Sequence, residues 1–221
     1  MAFEAVLFDC DGVLVDTEAL TNGVLRDMLA ERGWHMSVDE CMVRFVGKAV
    51  IDEAALNEAR TGQPVTEDWL ASFRERRNVA LLAGAAAIPG VSDAVHAIHT
   101  GHQGRIACAS GADRYKVELM LGHVGLLQYF DGRVFSGHEM PRSKPHPDVY
   151  LAAAAALRAP AARCAVVEDT VTGVRAGVAA GATVFAYSPP STLHVDAHTL
   201  RQAGAHHVFQ DMAELPGLLM G

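Results

Sequence analysis

The sequence predicts an α/β fold, a doubly wound parallel sheet with an all-helical domain inserted after its first strand. Three observations carry that expectation. From about residue 86 onward, apolar runs alternate with helical segments, as in a parallel sheet covered by helices on both faces. The run Ala5-Val6-Leu7-Phe8 is rich in strand formers and stops abruptly at two carboxylates, Asp9 and Asp11. Between that run and residue 86 the pattern is helical, with no convincing strand.

Taken in order, the first strand leads to a helix with Leu20, Val24, Leu25, Met28 and Leu29 on one face. Ser37 and Glu40 have capping-box spacing and open a second helix, which Gly47 ends. Residues 50–60 read as a third helix stopped near Gly62. Thr66 caps a fourth, with Trp69, Leu70 and Phe73 on its apolar side. Arg74, Arg76 and Arg77 read as a solvated face. These helices make a cap domain, residues 17–85, with hinges near residues 16–18 and 83–89. Residues 1–16 and 86–221 make the Rossmann-like core. There, helices at 91–99, 113–123, 147–157 and 171–180 alternate with strands at 105–109, 133–135, 164–167 and 183–186, so the sheet has at least five strands. The alanines at 152–156 belong to a helix, because alanine has the highest helix propensity. Gly173 and Gly177, one turn apart, read as room for close helix–sheet packing, and Gly181 as a helix stop. Residues 188–199, with Pro189-Pro190, read as an irregular excursion.

Composition narrows the class. Of the 221 residues half are hydrophobic, enough for a sizeable core, and the net charge of −8 argues against nucleic acid or an anionic membrane as partner. No apolar run approaches membrane-spanning length and the N-terminus lacks a signal pattern, so a soluble, cytoplasmic protein is expected. Cys10, Cys41, Cys108 and Cys164 are far apart and form no CxxC pair; they read as buried thiols of a reduced compartment. None of the 11 histidines has a zinc-site spacing, and nothing in the pattern specifies an oligomeric state.

The chemistry lies at the strand ends. Alternate residues of a strand point the same way, so Asp9 and Asp11 leave on one side, and two anions held so close need a cation or a shared proton. Ser110-Gly111 follows the second strand, Lys144 lies beyond the third, and Glu168-Asp169 ends the fourth. Singly, each has a structural explanation: Ser110 and the acidic pair can cap the helices that follow, and Lys144 can be a loop lysine. In a parallel sheet, however, all four loci converge at one edge, where open sheets bind ligands. The residue types suit phosphoryl transfer. Asp9 can attack phosphorus, and Asp11 can give and take the proton. Asp9, Asp169 and Glu168 offer hard oxygen ligands to magnesium. Ser110, the Gly111 N–H and Lys144 can hold phosphate oxygens.

Asp9-Cys10-Asp11-Gly12-Val13-Leu14-Val15-Asp16-Thr17-Glu18, then Ser110-Gly111, Lys144-Pro145-His146-Pro147-Asp148 and Glu168-Asp169 resemble the four ordered motifs of the haloacid dehalogenase superfamily. The helical insert is similar to the cap of the branch containing β-phosphoglucomutase and small sugar-phosphate phosphatases. Val134-Phe135-Ser136-Gly137 resembles the bacterial phosphatases acting on 6-phosphogluconate. The resemblance implies Asp9 as nucleophile, Asp11 as acid/base and Ser110, Gly111 and Lys144 as phosphate ligands. It implies a magnesium ion held by Asp9, Asp169, Glu168 and the Asp11 backbone carbonyl. An aspartate at position 11 favours phosphate esters over carbon–halogen or carbon–phosphorus bonds. Thr21 and Val50 stand where β-phosphoglucomutase has a histidine and a cap arginine, which favours a phosphatase of small phosphorylated metabolites over a phosphomutase. Arg44 and Lys48 are the cap's candidate anion contacts. A phospho-acceptor signalling domain also places aspartate, hydroxyl and lysine at strand ends, but needs neither Asp11 nor a helical insert.

Overall fold

Strand β1, Ala5–Phe8, contains no polar residue and all four side chains are buried, as expected of a central strand in a sheet covered on both faces. The computed structural model describes residues 3–45, 50–190 and 194–221. Two units make up the chain: Met1–Asp16 with Ala87–Gly221, and Thr17–Ala86.

After the two-residue strand β2 (Val15–Asp16) the chain enters the helical unit. Helix α1 (Glu18–Ala30) buries Leu25, Met28 and Leu29. At the start of α2 (Val38–Phe45) the capping box is formed: the Ser37 N–H donates to Glu40 Oε2 at 2.8 Å and the Glu40 N–H to Ser37 Oγ at 3.1 Å. Gly47 lies outside the described residues. The third helix begins as a tighter 3-10 turn, Val50–Glu53, before α3 (Ala54–Thr61), which Gly62 closes at φ 68°. Thr66 Oγ1 accepts the Trp69 N–H to open α4 (Glu67–Gly84). Leu25, Met28 and Leu29 pack with Cys41, Phe45 and Phe73 as this unit's core. Arg77 departs from the expected solvated face. It is buried, with its guanidinium 5.9 Å from the Phe73 ring centroid and bonded to Asn78 Oδ1. One turn separates Arg77 from Phe73, so its stem follows the apolar side of α4.

The chain returns through β3 (Ala86–Ala87). It then alternates α5 (Val91–Gly101), β4 (Ile106–Ser110), α6 (Arg114–His123), β5 (Val134–Ser136), α7 (Asp148–Ala156) and β6 (Cys164–Glu168). It ends with α8 (Val171–Ala179), β7 (Thr183–Tyr187), α9 (Ala197–Ala203), β8 (His207–Phe209) and α10 (Leu215–Met220). The sheet has six strands in the order β5-β4-β1-β6-β7-β8, each pair parallel. Strand β8 extends the expected sheet. Helix α9, capped by Asp196, begins inside the stretch read as irregular.

Alternation along the strands builds two buried layers. Ala5, Leu7, Ala107, Ala109, Val166 and Val184 join one core with Tyr150 and Ala153 of α7, Val174 of α8 and Leu200 of α9. Phe8 faces the other way and meets Phe130 edge-on, at 5.9 Å between centroids. A Cβ on Gly177 would come 2.8 Å from Val184 and 3.1 Å from Val166, so the missing side chain lets α8 lie close on the sheet. All four cysteines are free and buried. Among the described residues, no helix is long and apolar enough to cross a membrane.

Candidate active site

Strand β1 lies between β4 and β6, so the chain's order reverses around it and a crevice opens at the carboxyl ends of these strands. The register sets their heights. Phe8 is level with Cys108 and with Val167. The next residue, Asp9, is fixed by its N–H donating to the Val167 carbonyl at 2.9 Å. Ser110 and Glu168 end the two flanking strands. All three residues are buried.

Lys144 arrives from the loop beyond β5. Ser136 Oγ donates to the Ala112 carbonyl at 2.6 Å, tying the end of β5 to the loop after β4. Gly137 permits the close approach, for a Cβ there would come 3.0 Å from Ser143 Oγ and 3.3 Å from the Gly111 backbone. From this clamp Lys144 Nζ reaches Asp9 Oδ1 at 2.8 Å and Glu168 Oε1 at 2.6 Å. Its ammonium also lies 4.7 Å from the Tyr150 ring centroid, and the Tyr150 hydroxyl donates to Glu168 Oε1 at 2.7 Å.

The second oxygen of Glu168 organises the start of α8. It accepts the N–H groups of Asp169 and Thr170 and the Thr170 hydroxyl. Thr170 in turn caps α8 by accepting the Gly173 N–H. Gly173 makes room for this arrangement, because a Cβ there would collide with the Glu168 carboxylate. The same holds at Gly12, where a Cβ would run into the Asp169 carboxylate and φ is +74°.

Asp11 stands on a tight turn in which the Gly12 N–H donates to the Val15 carbonyl at 2.9 Å. Its Oδ1 accepts from Lys116 Nζ at 2.7 Å, the two side chains being 17% and 8% exposed. Lys144 thus pairs with Asp9 and Glu168, and Lys116 with Asp11, while Asp169 adds a fourth carboxylate to the group. Ligand oxygens of Asp9, Glu168 and Asp169 lie within 4.8 Å of one another, all three residues buried. An all-oxygen, carboxylate-rich set with surplus negative charge fits a hard divalent cation such as magnesium. Burial pushes the Asp9 carboxyl up to about 7, with Glu168 and Asp11 adding to the rise and Lys144 opposing it. Burial presses Glu168 the same way, yet Lys144, Tyr150 and the Thr170 N–H hold it below the usual carboxylate range. Lys144, with Asp9 and Glu168 outweighing its burial, is held well above its ordinary value.

The structure thus brings Asp9, Lys144, Glu168 and Asp169 together. Ser110 sits at the end of the adjacent strand with its Oγ accepting the Ala112 N–H at 3.1 Å. A Cβ on Gly111 would meet nothing within 4 Å, which leaves its backbone approachable. Arg44 lies in the helical unit, exposed, with its guanidinium 5.6 Å from the Trp34 ring centroid. Lys48 lies outside the described residues. Sequence reasoning passed over Lys116 and Tyr150. The signal at Lys116 was its place three residues after the helix cap Asp113, where a cation opposes the helix dipole.

Known proteins resemble this chain in sequence and in fold. A family model described as haloacid dehalogenase-like hydrolase matches residues 3–181. The 6-phosphogluconate phosphatase of Escherichia coli (strain K12) is 32% identical over 187 residues, covering 82% of this chain and 81% of that protein. Hexitol phosphatase B of the same organism is 31% identical over 184 residues, covering 80% and 79%. Among solved structures, a HAD family hydrolase from Deinococcus radiodurans R1, with bound phosphate and sodium, superposes with a TM-score of 0.79 at 34% identity, covering 99% of this chain and 95% of that one.

Proposed function

This chain belongs to the haloacid dehalogenase-like hydrolases, and from that membership we propose that it is a phosphatase of small phosphorylated metabolites, working with magnesium through an aspartyl-phosphate on Asp9. The likeness to a 6-phosphogluconate phosphatase and a hexitol phosphatase supports sugar or sugar-acid phosphates as the substrate class. One observation carries the chemistry: a buried Asp9 shares Lys144 with Glu168, and Asp169 lies beside them.

Asp9 attacks phosphorus with a carboxylate oxygen, the bond from phosphorus to the ester oxygen breaks, and that oxygen leaves with a proton from Asp11. In the second half, water attacks the aspartyl-phosphate, Asp11 takes the water's proton, and Asp9 is regenerated as orthophosphate departs. Lys144 sets fixed positive charge beside the phosphoryl oxygens, which the Ser110 hydroxyl and the Gly111 N–H also hold. The carboxylates of Asp9 and Asp169 and the Asp11 backbone carbonyl would hold magnesium, which would supply the Lewis-acid charge that lets an anionic nucleophile meet an anionic phosphate. Glu168 would add a further carboxylate oxygen to that set, and it fixes Lys144 and the first turn of α8. We assign leaving-group selection to the helical unit, with Arg44 and Lys48 as candidate contacts. The buried free thiols support a reducing, cytoplasmic setting.

The test is phosphate release with magnesium across 6-phosphogluconate, hexose and pentose phosphates. EDTA abolishes it, and Asp9→Asn lowers kcat by about 10⁴-fold or more. Unimpaired turnover by the Asn variant ends the proposal. An isomerised product without phosphate release identifies a phosphomutase, and a long-lived acyl-phosphate without turnover a phospho-acceptor domain.

A further inference from the structure

Lys116 is a buried lysine in the first turn of α6, bonded through Nζ to Asp11, a residue 105 positions away. Three facts make this pairing more than packing. A cation at a helix N-terminus opposes the helix dipole, so the position works against α6 unless an anion is met. Asp113 already caps this helix by accepting the Lys116 N–H at 2.9 Å, so helix initiation does not require the lysine's side chain. Lys144 is engaged with Asp9 and Glu168, whereas Lys116 Nζ reaches Asp11 Oδ1 at 2.7 Å. The backbone next to Asp11 is held by the turn in which the Gly12 N–H donates to the Val15 carbonyl, and Lys116 Nζ meets the Asp11 carboxylate at 2.7 Å. A long flexible stem ending in a point charge can hold that group and follow it.

We propose that Lys116 is a positioning residue that steers the Asp11 carboxylate for proton delivery and recovery. The inference rests on the phosphatase reading above. Lys116 touches neither phosphorus nor the nucleophile; it acts through Asp11. Removing it leaves attack by Asp9 intact and impairs the steps in which a proton moves.

Those steps separate experimentally. With enzyme in excess over p-nitrophenyl phosphate, the first release of nitrophenolate reports attack by Asp9 alone, since nitrophenolate leaves without a proton. Steady-state turnover, and all turnover of an alkyl phosphate, also needs Asp11. Lys116→Met keeps the single-turnover rate of the wild type, while its steady-state kcat falls about 100-fold, the scale of a misplaced catalytic group. KM is little changed. Lys116→Arg, which retains a cation, recovers part of the loss. In an Asp11→Asn background, Lys116→Met adds nothing further, because a residue acting through Asp11 has no route left. Multiplying effects in the double variant, or a single-turnover rate that collapses with the steady state, overturn the assignment and make Lys116 structural. Should Lys116→Met not fold, the same comparison with Lys116→Arg and Asp11→Asn decides: non-additive losses support the inference and additive ones end it. Failure of the phosphatase reading looks different, for then Asp9→Asn releases nitrophenolate as fast as the wild type and both proposals fall together.

Discussion

The carboxyl ends of the sheet and the helical unit treat their charged residues in opposite ways. At the carboxyl ends of the sheet, Lys144 pairs with Asp9 and Glu168, and Lys116 with Asp11, at 2.6–2.8 Å, with no side chain of the five more than 17% exposed. In the helical unit, Arg26–Asp27, Arg74–Glu67 and Arg76–Glu31 pair in solvent, the Arg74 and Glu67 side chains 39% and 74% exposed. Taking an ion out of water costs several kcal/mol even after relaxation, whereas an exposed pair is worth roughly 0–1 kcal/mol. A chain that buries charge so densely in one place, and keeps it solvated in the other, is spending stability where chemistry requires fixed electrostatics. Among the described residues, Arg77 is the helical unit's exception, buried against Phe73.

The sharpest way to break this comparison is to remove one charge from each region. Lys144→Met strands Asp9 and Glu168 without their common ammonium, and the expected loss is about 3–5 kcal/mol of unfolding free energy in metal-free protein. Uptake of a proton by Asp9, already pushed up to about 7, draws the loss toward the lower figure. Arg74→Ala is expected to cost at most about 1 kcal/mol. Urea unfolding of both variants measures the difference. Equal losses would mean that the buried cluster is no more committed than a surface pair.

A smaller effect concerns pH. The Asp9 carboxyl is raised from its ordinary 3.8 to about 7, chiefly by burial, with Glu168 and Asp11 contributing and Lys144 opposing. Below about 7 the metal-free site therefore holds a proton on Asp9, which a divalent cation has to displace. Magnesium affinity should fall about tenfold per pH unit below that value and level off above it. Calorimetric titration of magnesium between about pH 5.5 and 8.5 checks the slope. In Asp9→Asn the dependence should flatten. An equal slope in that variant would move the displaced proton to another group.

Legibility in the sequence follows the same division. The central strands were readable because each is a short apolar run ended by a polar residue, as at Phe8 to Asp9 and at Val167 to Glu168. Parallel order then brought distant loci to one edge, so the grouping of Asp9, Lys144, Glu168 and Asp169 could be reasoned from three separate stretches. Strand β8 was not legible: it is three residues long and begins with the exposed His207, so neither alternation nor an apolar run marks it. Lys116 and Arg77 were missed for a common reason. A lysine in a first turn and an arginine among arginines have the pattern of solvated residues, and only the folded structure reveals their burial, Lys116 against the distant Asp11 and Arg77 along the Phe73 side of its own helix. Tyr150 lies in an alanine-rich helix where its ring signals packing, while the bond of its hydroxyl to Glu168 arises from register between α7 and β6.

The smallest expected effect belongs to the helical unit and tests its side of the contrast. Arg44 is exposed on α2 and stacks its guanidinium over Trp34 rather than holding a buried partner. A solvated cation of this kind can attract an anionic substrate without stabilising the reacting phosphorus, so it contributes uniform binding. Arg44→Ala should accordingly raise KM for a sugar-acid phosphate about 3- to 10-fold, leave kcat unchanged, and matter less for a neutral sugar phosphate. The substitution should also leave stability within about 0.5 kcal/mol, since no buried group loses its partner. Steady-state kinetics on 6-phosphogluconate and on glucose 6-phosphate separate the two terms. A fall in kcat with KM unaltered would place Arg44 among the groups that act in the transition state, and the contrast between a chemical sheet edge and a merely binding helical unit would no longer hold.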